Sequence, residues 1–133
     1  MKIEKVDHVG ISVKNMDATL KFYIDQLGVK KSDISEMTIP GTIRLATIKV
    51  PGANLEFVQY LSEKEVLSKY ADPKSDAIHH MGIFVDDIAA ALATVKKEGG
   101  TIIHETPMKL PGGVQAAFAL PKASKVMIEF MEK

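Results

Sequence analysis

The sequence contains no cysteine and no tryptophan, has a single arginine, and carries no excess of either charge. Without cysteine there is no disulfide, no zinc–thiolate site and no cysteine nucleophile, so any bound metal must be held by histidine and carboxylate. Seventeen basic residues against seventeen acidic ones give a formal net charge of zero, which lacks the basic footprint of a nucleic-acid binder. No apolar run reaches the roughly 18 residues that a transmembrane helix needs. The start, Met1-Lys2-Ile3-Glu4-Lys5, is charged and strand-like and carries no apolar signal core. The expectation is a cytoplasmic protein with no membrane and no nucleic-acid partner. What is present is a globular balance, 46% apolar and 26% charged over 133 residues, enough for one domain or for two small halves that share a core.

An internal repeat organises the chain. His8-Val9-Gly10-Ile11-Ser12-Val13 and His80-Met81-Gly82-Ile83-Phe84-Val85 are identical at four of six positions, at an offset of 72. Both alternate, with Val9, Ile11 and Val13 on one face and Met81, Ile83 and Val85 on the equivalent face, as in half-buried strands. A helix follows each. Met16, Leu20, Ile24 and Leu27 make one apolar stripe that stops at Gly28; Ile88, Ala91, Leu92 and Val95 make the other, which stops at Gly99-Gly100. Asn15 or Asp17 offers cap chemistry for the first helix, and Asp86 or Asp87 for the second.

Leu55-Glu56-Phe57-Val58 then corresponds to Ile128-Glu129-Phe130-Met131. Each half is predicted to run strand, helix, then about three strands. These fall at 30–37, 43–50 and 54–61 in the first half and at 101–105, 114–120 and 125–131 in the second, separated by proline–glycine turns. The whole of 1–133 reads as a single domain: module one over about 3–61, a connector over about 62–75, and module two over about 76–133. In the connector, Ser62 with Glu65 has capping-box spacing, Val66, Leu67 and Tyr70 give a short helix its apolar side, and Pro73 ends the run.

Four polar residues interrupt the apolar strands: His8, Glu56, His80 and Glu129. Parity places His8 with Gly10 and Ser12, and His80 with Gly82, on the face away from the helices. Glu56 and Glu129 lie opposite Leu55/Phe57 and Ile128/Phe130. His79 has the other parity and, like His104, reads as an edge or surface residue. Taken singly, a histidine or glutamate in a strand is more often hydrogen-bonded or partly exposed than a ligand. Here, however, each half supplies one His and one Glu, separated by 48 and 49 residues, on the same parity. A buried carboxylate costs several kcal/mol unless it is paired or bound to a metal. Pairing the halves edge to edge would curl the sheet around a cleft and gather all four. Two imidazoles and two carboxylates suit a divalent ion such as Zn, Ni, Co, Mn or Fe.

On Asp7-His8-Val9-Gly10-Ile11 with Phe22 to Gly28, His79-His80-Met81-Gly82-Ile83-Phe84-Val85-Asp86-Asp87-Ile88, and Val126 to Phe130, the sequence resembles the vicinal oxygen chelate superfamily, the glyoxalase/bleomycin-resistance fold. The resemblance implies an α+β fold of tandem βαβββ modules forming a cupped mixed sheet around a metal cleft. It also implies a divalent metal (Co, Ni, Mn or Zn) at His8, Glu56, His80 and Glu129, no organic cofactor, and a homodimer.

Within the superfamily, Leu61-Ser62 to Tyr70, Ile78-His79-His80-Met81 and the tail from Gly112-Gly113-Val114 through Phe118-Ala119-Leu120-Pro121-Lys122 to Ile128-Glu129 look most like the methylmalonyl-CoA epimerase family. That implies an acyl thioester substrate, an enolate intermediate, and Glu56 and Glu129 as opposed bases. The chain departs from the epimerase pattern at Thr38-Ile39-Pro40-Gly41-Thr42. It also departs between Gly41 and Val50, where there is no acid and Arg44 stands instead, and at Ala119-Leu120 before Pro121-Lys122.

Three rivals share the scaffold, of which a ring-cleaving dioxygenase ranks below the lyase because its site normally keeps two histidines and one carboxylate. A glyoxalase I-type lactoylglutathione lyase would use the same ligands, but the two carboxylates of glutathione are best matched by arginine, and Arg44 stands alone against sixteen lysines. A non-catalytic binding or resistance protein on this fold tends to lack the ligands and to line its cleft with aromatics, whereas here all four ligands are kept and Tyr60 and Phe84 read as packing residues. Lys109, Lys122 and Lys125 read as solvated, and the seven methionines as fillers of core gaps.

Overall fold

Alternating apolar residues and two capped amphipathic stretches give the computed structural model its elements. It describes every residue except 65, 73 and 74, and at 66 the backbone only. The expected Ser62–Glu65 capping pair, the stop at Pro73 and the Val66 side of the connector therefore lie outside the described residues. The strands are β1 (Ile3–Ser12), β2 (Ile34–Ile39), β3 (Ile43–Ile48), β4 (Asn54–Tyr60), β5 (Ala77–Val85), β6 (Thr101–Ile102), β7 (Met108–Leu110), β8 (Val114–Leu120) and β9 (Met127–Glu132); the helices are α1 (Met16–Asp25) and α2 (Ile88–Lys97). The order β1-α1-β2-β3-β4 followed by β5-α2-β6-β7-β8-β9 is the expected repeat with one additional short strand, β7. Among the described residues these are the elements of a mixed sheet of nine strands with two helices. No helix among the described residues is long and apolar enough to cross a membrane.

Two compact units form, Val9–His79 and Met1–His8 with His80–Lys133, so the boundary falls inside β1 and inside β5. In Val9–His79, β2, β3 and β4 pair antiparallel, with Ile34 opposite Ile48 and Ala46 opposite Phe57. The core gathers Ile11 and Val13 of the first repeat strand with Met16 and Leu20 of α1 and with Ala46, Ile48 and Phe57. Leu27 lies past the end of α1 and is exposed, so the stripe that buries is one turn shorter than the sequence suggests. The Asn15 side chain accepts from Ala18 N at 3.0 Å, and Gln59 of β4 accepts from Met16 N at 3.2 Å. The start of α1 is thus held by its own cap and by the last strand of its repeat. Strand β2 begins later than expected because residues 31–33 form a 3-10 turn.

In the other unit the strand order is β5-β9-β8-β6, with β7 also on β8. β5 and β9 are parallel, and the remaining pairs are antiparallel. Ile83, Val85, Ala117, Ala119 and Phe130 pack against Ile88, Ala91 and Leu92 of α2. On the opposite face Phe84, Ala116 and Met131 pack with Met108, Leu110 and Val114. Burying one large apolar side chain contributes about 1.5–3 kcal/mol, so both faces of this sheet are anchored. Asp87 caps α2 through Ala90 N at 2.9 Å, and Glu132 of β9 accepts from Ile88 N at 2.8 Å. Residues 59 and 132 therefore do the same work in the two repeats. Met81, expected under the helix, is exposed; the part of β5 that packs on α2 starts at Ile83.

Candidate metal centre

The face of β5 opposite α2 carries His80, Gly82 and Phe84, and β9 presents Met127, Glu129 and Met131 to the same side, in register with Gly82 opposite Glu129. β1 contributes His8. All three polar residues are buried, His8 at 5%, His80 at 1% and Glu129 at 7% exposure. His8 Nε2 lies 3.0 Å from His80 Nε2 and 3.0 Å from Glu129 Oε2, and His80 Nε2 lies 3.5 Å from the same oxygen. Strand parity thus brings together three of the four expected residues, within one unit.

These donors fit a metal. Nitrogen and oxygen ligands bind first-row divalent ions at about 2.1 Å, which puts neighbouring ligand atoms roughly 3.0 Å apart at right angles and roughly 3.4 Å apart at the tetrahedral angle. The observed separations of 3.0, 3.0 and 3.5 Å span that interval, and the neutral imidazole and carboxylate chemistry suits such ions.

Close packing fixes the His8 ring. A Cβ at Gly82 would fall 2.1 Å from His8 Cε1, so the imidazole occupies the space that any other residue at 82 would fill. Its remaining nitrogen, Nδ1, lies 2.9 Å from Asp7 Oδ2. His80 meets Phe118 edge-on, with ring centroids 5.0–5.1 Å from His8 and from Phe118. Phe118 is pinned in turn, its backbone N–H donating to His104 Nδ1 at 3.0 Å. His104 is therefore a half-buried edge residue that anchors the aromatic wall of the site.

Glu56 lies in the other unit. It is half-buried on β4, opposite Thr47 of β3, and is not one of the three clustered residues. His79 corrects the reading of it as an edge or surface residue. It is 2% exposed and its Nε2 is hydrogen-bonded to the Tyr60 hydroxyl, so this end of β5 is covered by β4 and is not an open edge. Arg44 is engaged as well: Nη2 donates to Asp17 Oδ1 at 2.8 Å and to Glu36 Oε1 at 2.9 Å. The hydrogen bonds, that to Asp17 first, hold its guanidinium above its already high ordinary value.

Sequence reasoning missed Asp7 and Gly82. The signal for Gly82 was present, since a glycine inside an apolar strand marks a close approach.

A repeated strand–helix–strand layout in which three buried residues, His8, His80 and Glu129, converge on one point defines a group that could hold a metal ion. Residues 5–130 match the Glyoxalase/Bleomycin resistance protein/Dioxygenase superfamily, and the chain belongs to that superfamily. It is 27% identical to the mitochondrial methylmalonyl-CoA epimerase of Dictyostelium discoideum, over 98% of this chain and 80% of that one. It is 30% identical to a lactoylglutathione lyase of Neisseria meningitidis, over 95% and 88%. The crystal structure of methylmalonyl-CoA epimerase from Mycobacterium tuberculosis superposes with a TM-score of 0.74 at 29% identity, covering 98% of this chain and 88% of that one.

Proposed function

We propose that the protein is a metal-dependent epimerase of methylmalonyl-CoA or a similar 2-acyl thioester, acting through an enolate. The observation that carries this reading is the buried His8–His80–Glu129 cluster, whose ligand atoms lie 3.0–3.5 Å apart, in a chain whose similarity to epimerases runs over nearly its full length. His8, His80 and Glu129 would hold the ion, and Glu56, the repeat equivalent of Glu129, is proposed as the fourth ligand. When bound, a divalent ion such as Co, Ni, Mn or Zn supplies Lewis-acid stabilisation of the charge developing on the thioester oxygen, several kcal/mol in such sites.

Epimerisation takes the proton from the carbon beside the thioester carbonyl on one face and returns a proton on the other. The thioester enolate is the species between. Glu129 and Glu56 are assigned as the two bases: one carboxylate accepts the α proton, while the other, protonated from solvent, delivers one. Which glutamate acts first depends on the enantiomer. His8 and His80 stay fixed throughout.

The test is to load the protein with Co, Ni, Mn or Zn and incubate it with one enantiomer of methylmalonyl-CoA in deuterated buffer. Loss of configuration with deuterium entering the α carbon is the expected result. No turnover with any of the four metals overturns the reading.

A lactoylglutathione lyase is the second reading, favoured by the 30% identity to the Neisseria enzyme. The ion pairs of Arg44 with Asp17 and Glu36 weigh against it, because its one guanidinium is already committed. Turnover of the glutathione hemithioacetal of methylglyoxal, in a parallel incubation, would reverse the ranking.

A further inference from the structure

We infer that Asp7 is a positioning residue for the metal site: its carboxylate fixes the His8 imidazole in the tautomer and orientation that present Nε2 as the ligating nitrogen. This rests on the metal reading of His8, His80 and Glu129. Asp7 Oδ2 lies 2.9 Å from His8 Nδ1. An ionised carboxylate can only accept a hydrogen bond, so with a metal ion on Nε2 it is Nδ1 that carries the proton and donates to Asp7. A neutral imidazole has one N–H, which leaves the lone pair on Nε2, the nitrogen that faces His80 Nε2 and Glu129 Oε2 at 3.0 Å each.

The ring is restrained from two directions. The missing side chain of Gly82 gives it a slot, and Asp7 sets its rotation within that slot. The other Asp7 oxygen, Oδ1, faces the Lys5 ammonium at 3.7 Å, and Lys5 also sits 4.8 Å over the Phe84 ring. Asp7 is therefore braced on the side away from His8. The second repeat has no carboxylate at the position before its histidine. The residue equivalent to Asp7 is His79, and it turns to Tyr60. Carboxylates that hold the far nitrogen of a ligating histidine fix the ring and raise its basicity, and their loss lowers metal affinity by about 10–100-fold.

The test is zinc affinity, measured by competition with a chromophoric chelator, together with long-range proton–nitrogen correlation spectra of the zinc-loaded, nitrogen-15-labelled protein. Wild type should show His8 protonated at Nδ1 with Nε2 as the ligand nitrogen. Asp7→Ala should bind zinc about 10–100-fold more weakly and lose the slowly exchanging Nδ1 proton. Asp7→Asn keeps the shape of the side chain without its charge, so its affinity should fall between the two, and this variant carries the test if Asp7→Ala does not fold. Glu4→Ala, an exposed acid on the same strand, should match wild type. Zinc affinity within twofold of wild type in both Asp7 variants, with His8 Nδ1 still protonated, overturns the inference and leaves the metal reading standing. A wild-type protein that takes up no zinc overturns both.

Discussion

Placing one methyl group at Gly82 should disable the site while leaving His8, His80 and Glu129 themselves unsubstituted. A Cβ there would lie 2.1 Å from His8 Cε1, 2.5 Å from Nδ1 and 2.6 Å from Nε2. Carbon atoms rest at about 3.5 Å or more, so the ring would have to retreat by more than about 1 Å. It has little room to do so, being 5% exposed and tied to Asp7. Overpacking of this kind costs about 1–3 kcal/mol. For a chain of this size that corresponds to a fall in Tm of roughly 4 °C per kcal/mol, and the displaced Nε2 should weaken zinc binding at least about tenfold, equivalent to about 1.4 kcal/mol. The decisive assay is a double-mutant cycle read by chemical denaturation. In the His8→Ala background the slot is empty, and Gly82→Ala should then change stability by less than about 0.5 kcal/mol. If Gly82→Ala were equally harmful with and without the imidazole, or harmless in wild type, the steric reasoning would be refuted.

His8→Ala, His80→Ala and Glu129→Ala should each lose tight zinc in a chelator competition, while His79→Ala keeps it; the reverse pattern for the two adjacent histidines would mean that β5 is out of register by one. Glu56→Gln should retain metal yet lower epimerisation by about 10²–10⁴-fold, the usual contribution of a general base, and full activity with metal bound would reduce Glu56 to a ligand. Tyr60→Phe removes the hydrogen bond to His79 and should lower unfolding stability by about 0.5–1.5 kcal/mol, with zinc affinity unchanged. Asp87→Ala should cost about 1 kcal/mol through loss of the α2 cap, measured by urea denaturation.

The strands and helices that carry the repeat were legible because alternation and helical stripes are written directly in which residues are apolar. Ile83, Val85 and Phe130 pack on α2, and Phe84 and Met131 pack on the other face, as parity requires. β7 was not legible: three residues, Met108–Leu110, are too few to show a period. The methionines divide rather than all filling gaps, since Met16, Met127 and Met131 are buried while Met1, Met37 and Met81 are exposed; chain flexibility suits both places.

In the site, His8, His80 and Glu129 stood out as polar residues on equivalent, otherwise apolar strands. Asp7 did not, because neighbours on an extended strand send their side chains to opposite faces, yet its carboxylate reaches the adjacent ring. The pairing of His79 with Tyr60 was hidden for a related reason, as the residues are 19 apart and on different strands.

The unit that holds the three clustered residues takes its strands from both sides of the residue 9–79 segment. His8 and Glu129 are separated by 121 positions, which sets an order of events during synthesis. Chains are made from the N-terminus at about 5–20 residues per second, and units fold as they emerge. Residues 9–79 can therefore close on themselves while His8 waits several seconds for its partners. A nascent chain released before β9 lacks Glu129, so the three-residue cluster is complete only once that strand has been made.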